Sequence, residues 1–225
     1  MKRLIQLVIV AISSLLFVAC GQENESVARQ IIGKHRVIYT QPPKRIPVPH
    51  SVDAPMMGNG YTGVAISGPA NKQVYYIARN DFWRLKHGYN ESFPAVLGKL
   101  EISIPGIEGS TYLVEQDLYE AKTWFKFSKT GTEVRFKSYV SATEDLMLIE
   151  IILEGEEELV GNVNLELPGK NELADKLPEG YSYPAETQKG ITDDGTGYIM
   201  RSFVEDVDIS TKATTSKYFI MLIKY

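Results

Sequence analysis

The stretch "PMMGNGYTGVAISG", from Pro55 to Gly68, is the first place where residue type and spacing could carry chemistry. Gly58, Gly60 and Gly63 have the GxGxxG spacing that cradles a dinucleotide phosphate. That chemistry needs the loop to follow a strand and open a helix, and here the glycines open an alternating run, "TGVAISG". Nor does a lysine follow the last glycine, so the phosphate-loop pattern is not met. His35, His50 and His87 are scattered, with no metal-ligand spacing and no partner cysteine pair, so no metal site is expected. A serine nucleophile would sit in a GxSxG elbow, which the chain does not contain. Carboxylates are plentiful in "EGEEEL" and "DDG", but both runs read as solvated turns. Spacing alone picks out no acid/base pair, because glycosidase carboxylates come from distant positions. No catalytic residue and no cofactor is assigned.

What remains is a set of polar and aromatic side chains near glycine-rich turns: Asn59 in "GNG", and Asn80, Asp81 and Trp83 in "ARNDFW". These are the candidates for a carbohydrate-facing edge. The structural alternative is that Asn80 and Asp81 cap a turn while Trp83 fills the edge of a core. Gly58 and Gly60 would give positive φ around Asn59, and Gly63 would let two backbones approach closely.

The elements that must position these residues read as strands. "TGVAISG", "NKQVYYIAR", "GKLEISIPG", "STYLVEQDL", "TWFKFSK", "TEVRFKSYVS", "LMLIEIILEG" and "NVNLELPG" are short apolar or alternating runs. Most are bounded by Gly, Pro, Asn or Lys-Thr-Gly. Turns at this spacing predict an all-β, antiparallel β-sandwich. The clearest hairpin places Trp124, Phe125 and Phe127 before a turn at Lys129-Thr130-Gly131, with Val134 and Phe136 after it. "LMLIEIIL" is nearly all apolar and predicts a buried central strand. Lys170 to Gly197 is poor in apolar residues and reads as a long excursion, with at most a short helix near Glu172 to Lys176.

Composition sets the outer bounds. The chain has 225 residues, a formal net charge of -4, 44% hydrophobic and 23% charged residues, which fits one large domain or two small ones. The acidic balance gives no electrostatic case for nucleic acid. The N-terminus carries Lys2 and Arg3, a largely apolar run from Leu4 to Ala19, and then Cys20, the only cysteine. That is the layout of a signal peptide, and the run is shorter than the ~20 residues of a membrane span. Its end, "FVAC", resembles the lipobox of bacterial lipoproteins, with Phe17 where leucine is usual. The resemblance implies cleavage before Cys20, lipid on Cys20, and a membrane-anchored protein of the bacterial envelope, on its periplasmic or outer-membrane face. The alternative is a plain secretory signal with a chance cysteine. The expected organisation is a signal helix over residues 1–20, a polar tether and proline-rich lead-in over 21–50, and a sandwich over 51–225.

Taken in order, "PMMGNGYTGVAISG", "VYYIARNDFW", "GKLEISIPG", "YLVEQDLYEAKTWFKF" and "VRFKSYVSATEDLMLIEI" resemble the amino-terminal supersandwich of glycoside hydrolase family 95 (α-L-fucosidase-like) proteins and their relatives around family 65. The likeness covers roughly Ala54 to Leu153, with a thinner match at "RSFVEDVDISTKAT". Asp117-Leu118 and Ala121 match the family's "LDL..A" element, with Gln116 replacing its first leucine, and "NDFW" is shorter than the family's turn. The resemblance implies that the Asn80–Trp83 edge faces a catalytic (α/α)6 barrel. Twelve helices of ~12 residues with ~5-residue loops need on the order of 200 residues, and β-patterned sequence fills most of this chain. The catalytic carboxylates of the family therefore have no counterpart here. The ending "TSKYFIMLIKY" stops inside an apolar run, which reads as a truncated gene, a split product or a fragment. The function expected is a non-catalytic sandwich portion of a glycoside hydrolase, inactive alone. The alternative is a stand-alone carbohydrate-binding or surface-assembly lipoprotein.

Overall fold

A computed structural model describes residues 27–45, 53–85, 92–155, 159, 161–166, 185–203 and 217–221; within 82–85, 92–95, 185–187, 201–203 and 217–221 it describes the backbone. The signal segment with Cys20, and the short helix expected near Glu172 to Lys176, lie outside the described residues.

The described chain is all-β apart from a short helix at 27–32. Two antiparallel meanders build the sandwich. The first runs through β2 (Met56–Gly58), β3 (Thr62–Ser67), β4 (Lys72–Leu85) and β5 (Ser92–Ser103). The second runs through β6 (Thr111–Asp117), β7 (Lys122–Lys129), β8 (Thr132–Val140) and β9 (Met147–Gly155). Each sheet takes its fifth strand from elsewhere in the chain. β1 (Arg36–Tyr39) precedes the first meander but pairs with β6, giving the order β1-β6-β7-β8-β9. β10 (Asn162–Glu166) follows the second meander but pairs with β5, giving β10-β5-β4-β3-β2. A separate three-stranded sheet contains β11 (Ala185–Ile191), β12 (Gly197–Phe203) and β13 (Lys217–Met221).

The alternation in the sequence becomes the two faces of each sheet. In β7, Thr123, Phe125 and Phe127 point inward and are buried, while Trp124 and Lys126 point out. In β8, Val134, Phe136, Ser138 and Val140 are the inward set. They meet Val64, Ile66, Tyr75, Leu100 and Ile102 of the facing sheet in one core. Phe136 packs edge-on against Phe125 and Phe127, at centroid distances of 5.9 and 5.8 Å, within the range preferred by aromatic pairs. Across the core, the Tyr75 hydroxyl and Ser138 Oγ lie 2.9 Å apart, joining β4 to β8 by a buried hydrogen bond. Burial pushes the Tyr75 hydroxyl pKa well above its ordinary value. The expected β7–β8 hairpin forms with Lys129 opposite Thr132, and Gly131 takes the positive φ (75°) that its two-residue loop requires.

Three expectations need correction. The apolar run of β9 is an edge strand, and residues Glu150 to Gly155 are exposed. A run of apolar residues without period reports burial propensity but not position in a sheet. Part of the expected excursion, residues 185–191, is strand β11. Finally, a Cβ at Gly63 would meet nothing within 4 Å, so no close approach requires glycine there. The close approach is at Gly58, where a Cβ would lie 2.8 Å from the Thr62 carbonyl oxygen; the positive φ (91°) is at Gly60.

Candidate functional site

Asn59, Asn80 and Asp81 come together at one end of the sandwich, where three connections meet. The first is the turn from β2 to β3. Asn59 Oδ1 accepts from the backbone N–H of Tyr61 at 2.9 Å and of Thr62 at 2.8 Å, and its own N–H donates to the Thr62 carbonyl at 3.1 Å. This is a side chain mimicking a backbone turn, the usual role of asparagine before a glycine.

The second is a break in the β4–β5 ladder. Pairing passes from Ala78–Val96 to Trp83–Pro94, five steps along β4 against two along β5. The residues "ARNDFW" therefore form a bulge within a long strand rather than a terminal turn. The bulged backbone is held by its neighbour: Asn80 N–H donates to the Tyr61 carbonyl at 2.9 Å, and Asn80 Nδ2 to the Gly60 carbonyl at 2.8 Å. Only the backbone of Trp83 is described, opposite Pro94; its side chain, the fourth edge candidate, lies outside the described atoms.

The third is the β8–β9 connection, Ser141 to Leu146. Asn59 Nδ2 reaches across to it, donating to the Ser141 carbonyl at 2.9 Å and the Glu144 carbonyl at 3.4 Å. Arg79 does the same with charge. It grips both oxygens of Asp81, at 3.0 and 3.1 Å, and donates through Nη1 to Asp145 at 2.7 Å. The fork geometry of a guanidinium on a carboxylate makes this a directional contact. The Arg79 hydrogen bonds hold the Asp81 carboxyl below the usual carboxylate range, and Arg79 is correspondingly raised.

The arrangement stitches the two sheets together at their ends. An asparagine amide offers two donors and two acceptor sites. Asn59 commits all of them to the protein: two N–H acceptances, two carbonyl donations. Asp81, by contrast, is 52% exposed at its side chain, and Tyr61 beside it is 60% exposed. Sequence reasoning missed Arg79, Asp145 and Ser141. Arg79 stands inside the quoted "ARNDFW", but nothing in the sequence signals that a residue 66 positions later completes its contacts.

A second polar surface is the outward face of the β1-β6-β7-β8-β9 sheet. One row across it runs Ile38, Glu115, Trp124, Lys137, Glu150. Trp124, in the middle strand, is 43% exposed, with Lys137 Nζ 5.3 Å from its ring centroid. The charges around it are paired: Lys137 with Glu150, Arg36 with Glu115 and Asp117, Arg135 with Glu133 and Glu154. A shallow hollow at the β7–β8 hairpin is lined by Lys129, Glu133 and Glu154, both carboxylates being held by Arg135. Among the described residues, no group of three His, Cys, Asp or Glu side chains is placed to hold a metal ion. Comparison with known protein families and with curated proteins returns no match to this chain.

Proposed function

We propose that the protein is a non-catalytic β-sandwich of the kind that precedes the barrel in family-95-like glycoside hydrolases, carried on a lipid-anchored bacterial envelope protein. The observation that carries this reading is the commitment of Asn59. The "GNG" and "RND" segments quoted in the resemblance meet in space, and their polar groups close the end of the sandwich. The resembling segments also fall in order on contiguous strands, β2 to β9. In this reading Asn59, Asn80 and Asp81 shape an edge for a neighbouring domain, and no residue of the chain turns over a glycoside. Two experiments test it. Purified protein is incubated with aryl α-fucosides and related glycosides; turnover lost on mutating a carboxylate of this chain refutes it. For the anchor, membrane fractionation compares the native chain with Cys20→Ser, and equal release of both into the soluble fraction refutes lipidation.

Exposed Trp124 favours a second reading, a carbohydrate-binding envelope protein. An indole on an outward sheet face, ringed by charged side chains, offers the apolar surface and polar rim that a sugar ring needs. Trp124→Ala should leave the melting temperature within a few degrees, because the ring is not a core residue. Loss of glycan-array binding in that stable variant would establish the second reading; an array with no ligand for the native chain would dismiss it.

A further inference from the structure

Among the described residues four strands edge the sandwich, and three of them are guarded against pairing. β2 has three residues. β1 has four, and its Arg36 is bound to Glu115 and Asp117. β10, "NVNLE", is short and polar. β9, "MLIEIILEG", has nine residues, no lysine, no proline and no register shift against β8. Among the described residues it is hydrogen-bonded on one side only. Ile151, Ile152 and Leu153 are exposed on its two faces, Ile151 to 37%. Natural edge strands usually carry lysine, proline or a bulge to prevent such an offer, and the two charges of β9, Glu150 and Glu154, both lie on its outward face.

The direction of the free backbone groups follows from the ladder. Ser141 N–H donates to the Leu146 carbonyl, its direct partner in the β8–β9 register. Hydrogen-bonded pairs in an antiparallel ladder alternate, so Leu148, Glu150, Ile152 and Glu154 bond to β8. Met147, Ile149, Ile151, Leu153 and Gly155 then direct their N–H and C=O groups away from it.

We propose that β9 is an interface between copies of this chain, pairing antiparallel with β9 of a second copy about a two-fold axis through Ile151. The register is selected by charge and length. With the axis at Ile151 the whole strand overlaps, and each outward-directed residue meets another: Ile151 its counterpart, Ile149 the second copy's Leu153, Met147 its Gly155. On the opposite face, Glu150 lies beside Ile152 of the second copy and Glu154 beside its Leu148. Moving the axis one residue either way sets Glu150 directly against a glutamate, Glu150 or Glu154 of the second copy, which is destabilising. Moving it two residues leaves little more than half the strand paired. The glutamates themselves do not oppose approach, because Lys137 holds Glu150 and Arg135 holds Glu154 within each copy. An isologous contact of this kind closes at two subunits. It is independent of the reading given under Proposed function, since it uses neither a sugar nor a barrel.

The test uses the full chain carrying Cys20→Ser, so that no native thiol remains. Sedimentation over a wide concentration range should show a monomer–dimer equilibrium. Ile151→Lys, which sets a charge on the edge, and Ile151→Pro, which removes an N–H that β8 does not use, should each abolish the dimer while leaving the melting curve close to that of the parent. Having two variants protects the test from a folding failure in one. An Ile151→Cys variant should form a disulfide-linked dimer on mild oxidation, whereas Leu113→Cys, on the outer face of β6, should not. A parent that stays monomeric throughout overturns the proposal. So does a dimer that survives both edge variants, or a β9 whose amides gain exchange protection only when a different protein is added.

Discussion

Replacing Asn59 by alanine isolates what holds the end of the sandwich. The change removes two turn bonds to Tyr61 and Thr62 and two bridging bonds to Ser141 and Glu144. A hydrogen bond contributes about 1 kcal/mol net, and the long Glu144 contact contributes less. The site is part-buried, so water recovers some of the loss, and the expected destabilisation is about 2–3 kcal/mol. In a domain of this size that corresponds to a fall in Tm of roughly 5–10 °C. Asn59→Asp separates the halves: its oxygens can still accept from Tyr61 and Thr62, but it cannot donate to the Ser141 carbonyl. Urea denaturation of both variants gives the two costs, and amide exchange at Tyr61 and Thr62 reports whether the turn has opened. An Asn59→Ala protein whose unfolding free energy lies within 0.5 kcal/mol (roughly the scatter of neutral surface changes) of the parent would refute the stitching argument.

Gly60→Val should cost about 1–3 kcal/mol through backbone strain at φ 91° alone, since a Cβ there has open space around it; chemical denaturation measures it. Ala121 sits at φ 51° in the β6–β7 connection, and Ala121→Gly should stabilise the fold by up to about 1 kcal/mol, once relief of left-handed strain is set against the added freedom of the unfolded chain. For Asp81 the folded pKa is depressed, first by its hydrogen bond with Arg79. The Arg79–Asp81 contact therefore adds stability above the unfolded carboxyl's titration near pH 4, and that contribution is lost as pH falls through the lower folded value. Carbon-detected NMR titration should place Asp81 below the ordinary range, and Arg79→Gln should return it there.

Much of the fold was legible because its strands alternate. All eight runs quoted from the sequence lie on β3 to β10, and the Lys129–Gly131 turn closes the hairpin as expected. What stayed hidden was relational. Nothing in "LMLIEIIL" says that one of its sides has no neighbour among the described residues, because that is decided by which strands occupy the sheet. "RVIY" lay inside the stretch read as a lead-in, and its pairing with β6 spans more than 70 residues. "NDFW" carries turn-forming residues, and its bulge satisfies the same local preference without ending the strand. Asn59, Asn80 and Asp81 were picked out from the sequence, and they do meet; Arg79 and Asp145, which bind Asp81 to the far connection, could only be found in three dimensions.

The exchange of edge strands between the two meanders also bears on how the molecule could be divided. The segment 104–110 joins β5 to β6, and a chain split there would yield one piece carrying β1 to β5 and another carrying β6 onward. Neither piece contains a complete sheet of the sandwich. The first holds β1, whose partner β6 is in the second; the second holds β10, whose partner β5 is in the first. Such halves interlock rather than merely touch, each lacing a strand into its counterpart. Co-expressed as separate polypeptides, they should reassemble into one particle, and each expressed alone should remain insoluble or unfolded.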